Sequence, residues 1–372
     1  MKVLDLYCGA GGFSEGFRLA GHDILVGIDH WSTALNTISL NHGSSLKTIQ
    51  KDIYEISFLS DQEFFEIIPL ETEIIIGSPP CVSFSNSNRS GFTDKSLGIK
   101  LIESFFRIVA RVKYSDNSKL KYWIMENVPK SEKFINEYYT PTDLDLEQFG
   151  IKNTLEVKVG EGLSSGLYKA NYYGVPSRRQ RYFCGKFIKP TINILPPKTL
   201  GEIVESLDKT GTIQDPVWEN LSLDKDSISD LNYLREIPLW LLNIAKRKKQ
   251  DKGYMGKMPI PENMNQIART VLSSSSMGAR ETMILPIKNK KGKYRHPTVR
   301  EFATIMSFPI NYDFTGVSHQ NKIKQVGNSV PPKLAYEFGI VMEGKSKNIK
   351  KFNSERLSLN GFINLNGMSL PL

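Results

Sequence analysis

Apolar residues in the first 130 positions alternate between two rhythms. Short aliphatic runs at residues 1–6, 24–28, 47–50, 74–76 and 122–125 read as strands, and the unbroken Ile74-Ile75-Ile76 has the character of a strand buried on both faces. Between them the spacing lengthens to a helical period: residues 12–20, then a helix from a Ser32 cap to residue 40, then Leu97, Leu101, Phe105, Ile108 and Val112 over residues 97–113. Strand and helix in alternation predict an α/β fold with a mostly parallel, doubly wound sheet. Over residues 155–187 the period shortens to two, which predicts antiparallel strands with a turn at 171–176.

The character changes between residues 186 and 294. Prolines cluster at Pro190, Pro196, Pro197 and Pro216, helical periodicity weakens, and basic stretches stand at residues 246–249 and 288–293. Trp218, Tyr233 and Trp240 are enough to seed a small core, so this region reads as an inserted recognition domain. Its segment 268–282 mixes arginine, hydroxyls and glycine, side chains that contact phosphates and base edges. The 372 residues carry a formal net charge of +9, which fits a polyanionic partner. Three cysteines, far apart and without a Cys-x-x-Cys pair, do not suit a disulfide framework or a structural zinc site and predict a reducing cytoplasm. No apolar run approaches the ~20 residues of a membrane span, and the amino terminus lacks a signal-peptide core.

Chemistry concentrates at predicted strand ends. The fourth strand runs into Gly77-Ser78-Pro79-Pro80-Cys81, where two prolines hold the backbone extended and set the thiol on a rigid turn. A polar loop over residues 83–92 follows, the composition of a mobile lid. Strand 122–125 delivers Glu126, so thiol and carboxyl would share one cleft. The first strand opens into a glycine turn (Gly9, Gly11, Gly12) of nucleotide-binding type, the second ends at Asp29 and the third leads to Asp52. Ser14 stands where a dinucleotide fingerprint wants a small residue, which argues against NAD or FAD. On a strand, Arg179 and Arg181 point the same way.

Six strings, in one order, resemble the cytosine-5 DNA methyltransferases of bacterial restriction-modification systems: DLYCGAGGFSEGF from Asp5, GSPPCVSFS from Gly77, ENVP from Glu126, NYYGVPSRRQRYF from Asn171, RHPTVREFATIMSFP from Arg295 and QVGNSVPP from Gln325. The resemblance implies a Rossmann-like S-adenosylmethionine-dependent methyltransferase domain with an inserted, smaller DNA-recognition domain. It assigns residues 1–188 plus 322–345 to catalysis and cofactor binding, 189–321 to target recognition and hinge, and 346–372 to a tail. It implies that Cys81 attacks carbon 6 of a flipped-out cytosine, that Glu126, protonated through burial, supports ring nitrogen 3, and that Arg181, with Arg179 beside it, binds the base's carbonyl oxygen.

On the cofactor side the same resemblance implies contacts from Tyr7, Gly9, Gly11 and Gly12, from Asp29 and His30 at the ribose, and from Asp52 and Ile53 at the adenine. Pro79, Leu101, Asn328 and Ser329 would complete that pocket, with no metal. For DNA it implies Ser83, Ser85 and Asn127 near the flipped base and Arg269, Thr270, Ser273 and Arg280 in the reader. The expected partner is double-stranded DNA, met by a monomer in the bacterial cytoplasm and nucleoid, with a cognate restriction endonuclease acting on the same site without contact. Three other readings stand beside it: a transfer RNA cytosine-5 methyltransferase of the same fold, a catalytically silent DNA-binding module, and an NAD oxidoreductase.

Overall fold

Five strands lie parallel at the centre of the molecule: β1 (Lys2–Leu6), β2 (Asp23–Asp29), β3 (Lys47–Gln50), β4 (Ile74–Gly77) and β5 (Tyr122–Asn127). An antiparallel hairpin, β6 (Leu163–Lys169) and β7 (Gln180–Lys186), completes a seven-stranded sheet of order β3-β2-β1-β4-β5-β7-β6. The structure, a computed structural model, describes residues 1–81, 84, 95–193, 195–231, 235–250, 258–275 and 279–344. The expected 83–92 lid, with Ser83 and Ser85, and the 346–372 tail lie outside the described residues. The strand order reverses between β1 and β4, and open α/β sheets bind ligands at such a reversal, beyond the carboxyl ends of the strands.

The apolar run of β4 is explained by its two covered faces. Ile75 packs with Leu4, Leu6, Trp123 and Met125 under α5 (Ser96–Lys113), whose Ile102, Phe105, Phe106 and Val109 are fully buried. Ile74 and Ile76 turn to the opposite face and meet Phe13 and Phe17 of α1 (Gly12–Leu19). Helices α2 (Ser32–His42), α3 (Ile53–Ser57) and α4 (Asp61–Ile67) fill the remaining crossovers.

Beyond the hairpin come α6 (Leu200–Leu207), α7 (Leu239–Gln250), α8 (Val299–Ile305), α9 (His319–Asn328) and α10 (Pro332–Met342). Leu200 and Ile203, Val299 and Phe302, and Ile323 and Val326 bring α6, α8 and α9 into a separate core. Helix α8 starts at a capping box, Thr298 with Glu301, and Glu301 also takes both Nη atoms of Arg295 at 2.7 and 2.6 Å. Helix α7 packs on a three-stranded sheet of Arg235–Glu236, Tyr294–His296 and Leu285–Pro286. The chain then returns to the large sheet: Leu334 and Phe338 of α10 join Phe13 and Phe17. Among the described residues, no helix is long and apolar enough to cross a membrane, and no group of three or more His, Cys, Asp or Glu could hold a metal.

Candidate active site

A cavity of about 380 Å³ opens at the strand-order reversal. Its walls come from the turns after β1, β2, β4 and β5, from the start of β7, and from two later segments, Leu272 to Ser274 and Lys324 to Val330. Strands β4 and β5 pair in parallel, Gly77 opposite Met125, so the residues leaving them, Ser78 to Cys81 and Glu126 to Asn127, meet in one cleft. The thiol and the carboxyl predicted to share a site therefore do.

Local bonding fixes both groups. Asn127 is buried; its amide donates to the Pro79 carbonyl at 3.1 Å while its side-chain oxygen accepts from the Val128 amide at 2.8 Å, clamping the proline turn to β5. The Phe84 amide donates to the Cys81 carbonyl at 2.9 Å, and the Phe84 ring stacks on Phe134. The Ser78 hydroxyl donates to Oε2 of Glu126, which is only 3% exposed. Arg181 Nε stands 3.1 Å from Glu126 Oε1 as an ion pair, off the hydrogen-bond axis, so that buried oxygen has no aligned donor. Burial pushes the Cys81 thiol up; the positive charge of Arg181 opposes this, Glu126 adds to it, Arg179 opposes it, and burial prevails.

The two arginines do different work. Arg181 is partly exposed, beside Glu126, with Nη1 donating to the Gln180 carbonyl at 2.8 Å. Arg179 is 2% exposed and spends its Nη atoms on three carbonyls: Val271 at 3.3 Å, Gly327 at 3.1 Å and Ser329 at 3.0 Å. Burial lowers its pKa to about 9. Arg179 thus ties the start of β7 to the two later segments that wall the cavity.

The other half of the cavity is built on the glycine turn. Gly9 sits at φ +52 with nothing within 4 Å of where a Cβ would stand, and its amide donates to Asp29 Oδ2 at 2.9 Å. The Trp31 amide donates to Asp29 Oδ1 at 2.8 Å, so both carboxylate oxygens are aimed from the backbone. His30 Nδ1 lies 3.3 Å from Asp29 with its side chain exposed. Gly11 and Gly12 are packed from behind, Gly12 against the Val330 carbonyl, which a Cβ would meet at 2.3 Å. Tyr7, Pro79, Asn328 and Ser329 also line the cavity.

Five predicted cofactor residues stand outside those walls: Gly11 and Gly12 behind the turn, and Asp52, Ile53 and Leu101 on the side of Tyr7. The Tyr7 hydroxyl donates to the Leu101 carbonyl at 3.0 Å, and burial, reinforced by the charge of Asp52, raises its pKa. Asp52 itself is exposed and caps α3, accepting from the Tyr54 amide at 2.8 Å, and Ile53 is buried behind it.

The structure redirects several of the predicted DNA contacts. Arg269 donates to Glu262 at 2.9 Å and to the carbonyls of Glu281 and Thr282 at 2.6 Å each, and Arg280, 5% exposed, donates to the Lys248 carbonyl at 2.7 Å. Both guanidinium groups serve as internal braces, because buried carbonyls at the base of a loop must find donors. Asn127 is likewise a clamp. Thr270 reaches the Arg178 carbonyl at 3.4 Å, and Ser273 faces the cavity. One site residue went unpredicted altogether: Asp5, a lone acid inside an apolar strand, 1% exposed, with Oδ2 accepting from Ser14 at 2.6 Å and Oδ1 unpaired in the cavity wall. Ser78, the donor to Glu126, carries no such signal, since a serine before two prolines reads as an ordinary turn residue.

A model of the family described as C-5 cytosine-specific DNA methylase matches residues 1–343. The chain is 29% identical over 337 residues to the type II methyltransferase M.HindV of Haemophilus influenzae, covering 90% of this chain and 94% of that one. With M.NgoPII of Neisseria gonorrhoeae it shares 27% over 358 residues, 92% and 95% of the two chains. Among solved structures, a DNA modification methyltransferase encoded within an E. coli prophage superposes at a TM-score of 0.60 with 21% identity, covering 92% of this chain and 99% of that one. DNMT2 of Spodoptera frugiperda superposes at 0.57 with 18% identity, covering 90% and 97%. At those identities the structural likeness speaks to the fold alone.

Proposed function

Because this chain belongs to the C-5 cytosine-specific DNA methylase family, and so methylates carbon 5 of cytosine in DNA, we propose that Cys81 is its nucleophile and that Glu126 and Arg181 are its electrophilic partners. Carbon 5 of cytosine is unreactive until the ring is attacked at carbon 6. A thiolate is the soft nucleophile suited to that attack. A thiol that burial keeps protonated at rest must give up its proton as the base arrives, which confines reactivity to the loaded site. Oε1 of Glu126, ion-paired with Arg181 but without an aligned hydrogen bond, is the oxygen that would meet ring nitrogen 3, and Ser78 holds the carboxyl in that orientation. Arg181 supplies positive charge where the carbonyl oxygen at position 2 gains electron density, and Arg179 positions that strand. A cytosine inside a duplex cannot reach a cavity of this depth, so it is flipped out at a cost of a few kcal/mol.

The donor side fits S-adenosylmethionine. The open space at Gly9, the backbone-aimed Asp29 and the unpaired buried oxygen of Asp5 form an acidic, backbone-lined pocket suited to a cationic sulfonium carrying a ribose diol. When bound, that molecule supplies the electrophilic methyl group. Asp29 and His30 hold the ribose, Tyr7, Asp52 and Ile53 with Leu101 the adenine end, and Asn328 and Ser329 with Pro79 the methionine end. The type II names of the relatives support a place as the modification half of a restriction-modification pair; in this proposal the chain works as a monomer on double-stranded DNA in the nucleoid, and an endonuclease reads the same site.

The observation that carries this reading is the meeting of Cys81, Glu126 and Arg181 in one cavity with the glycine turn. Sequencing of DNA from a methylation-free host expressing the chain identifies the methylated site. A duplex with 5-fluorocytosine at that site should then become covalently attached when donor is supplied. Cys81→Ser should bind the duplex but lose both attachment and transfer, and methyl transfer surviving in that variant would remove the assignment. Transfer RNA assayed in parallel should stay unmodified.

A further inference from the structure

Helix α7 exposes one stripe of side chains that the reaction chemistry leaves unexplained. Trp240, Asn243, Arg247 and Gln250 are all exposed, Trp240 to 66%. At 3.6 residues per turn they fall within an arc of about 80°. Leu242, Ala245 and Lys249 occupy the opposite side, buried against the three-stranded sheet and the loop beside it. The helix carries no acid, and exposed Lys246 flanks the stripe. Leu239 and Trp240, 70% and 66% exposed, form an apolar patch beside a row of amides and a guanidinium, and the positive charge of the helix suits an anionic partner.

We propose that α7 enters the major groove beside the flipped cytosine and reads neighbouring base pairs through Asn243, Arg247 and Gln250. The inference rests on the duplex DNA reaction proposed above. Arginine matches guanine O6 and N7, and asparagine or glutamine matches adenine N6 and N7; the indole offers an apolar surface to a thymine methyl group. From Trp240 to Gln250 the helix rises about 15 Å, the length of roughly four base-pair steps. The major groove admits a helix of this width.

The helix is also rigidly related to the cavity. Lys249, buried at the end of α7, donates to the Thr282 carbonyl at 2.5 Å, and Arg280 donates to the Lys248 carbonyl. Arg269 grips the same carbonyl of Thr282, and the chain continuing from Arg269 through Val271 is held by Arg179 before it forms the cavity wall at Leu272 to Ser274. Arg280 thus braces the helix directly, and Arg269 braces the Thr282 carbonyl that Lys249 also holds.

The test compares full-length wild type with Trp240→Ala, Asn243→Ala, Arg247→Ala, Gln250→Ala and their combination, each expressed in a methylation-free host whose genome is then sequenced for 5-methylcytosine. Arg247→Ala and at least one amide variant should relax one position of the methylated motif, or lower kcat/KM on the cognate duplex by about tenfold or more. Lys246→Ala should instead weaken binding to all duplexes alike and reduce the salt slope by about one. All positions are exposed, so thermal unfolding should be unchanged. An unaltered motif, with rates within about twofold in every variant including the combination, overturns the inference while leaving the Cys81 chemistry intact. So does a Trp240→Ala variant that abolishes self-association in sedimentation without touching the motif. A wild-type protein that marks no cytosine removes the reaction itself, and this inference with it.

Discussion

Among the described residues, no cation stands against Asp5. Burial raises its pKa from 3.8 to about 7, the Ser14 hydroxyl pulls it down, and the charge of Asp29 pushes it up again. Between those two pH values the folded chain holds a proton that the unfolded chain has released. Its contribution to stability is therefore complete below about pH 4 and is lost as the pH rises through 7. At 1.36 kcal/mol per unit the effect is on the order of 4 kcal/mol. Asp5→Asn keeps an acceptor for Ser14, so urea titrations should show a flatter stability profile from pH 4 to 7 and a variant more stable than wild type at pH 8. An unchanged profile would place the proton elsewhere. Asp5 is also a measure of what single residues disclose. Cys81 and Glu126 were legible because apolar runs end at them, and a buried strand can deliver a polar group to few places. The internal bonds of Arg269, Arg280 and Asn127 were not legible, because a polar residue in a loop gives no sign, by its type, of whether it will meet solvent or an orphaned carbonyl.

At the scale of elements, the sheet strands and the α5 spacing followed directly from periodicity, since both faces of the sheet need apolar cover. Helix α7 did not, because Lys249 takes the third place in its apolar stripe and conceals the pattern of Leu242 and Ala245. Close packing of α9 was equally hidden, although Gly327 marks it. A Cβ there would lie 2.3 Å from the Ser273 amide nitrogen and 2.6 Å from the Leu272 carbonyl carbon, both backbone atoms unable to rotate aside. Gly327→Ala should therefore push the 272–274 wall away from α9, lowering stability by about 1–3 kcal/mol and weakening donor binding. Calorimetric titration with S-adenosylhomocysteine reads the second effect; unaltered affinity would mean that the wall relaxes without moving the pocket.

For the whole molecule, the excess of nine positive charges sets how duplex is first met. Neutralising about four phosphates would cost roughly a hundredfold in association constant between 50 and 200 mM salt. Fluorescence anisotropy on a duplex lacking the methylation site should show that decline, and a flat response would deny phosphate contacts a leading part. A change in composition after residue 186 coincides with the end of β7, the last strand of the large sheet. The joint between that sheet and the smaller core was not legible, because its members lie far apart in sequence: Arg179 reaches across some 90 and 150 positions, and Tyr312, Asp313 and Thr315 meet Ala10, Asn41 and Thr37.

That joint has a consequence for how such proteins diversify. Arg179 grips peptide oxygens, which every amino acid supplies, and ignores the side chains above them. At those oxygens the socket is accordingly indifferent to what is plugged into it: the reading segment can be rewritten to favour another stretch of genome while the chemical engine keeps that coupling, provided side-chain contacts such as Tyr312 with the Ala10 carbonyl are kept. A hybrid that leaves 271 and 327–329 in their backbone course should accept a foreign reading module, whereas one spliced through those points inherits a loose fitting.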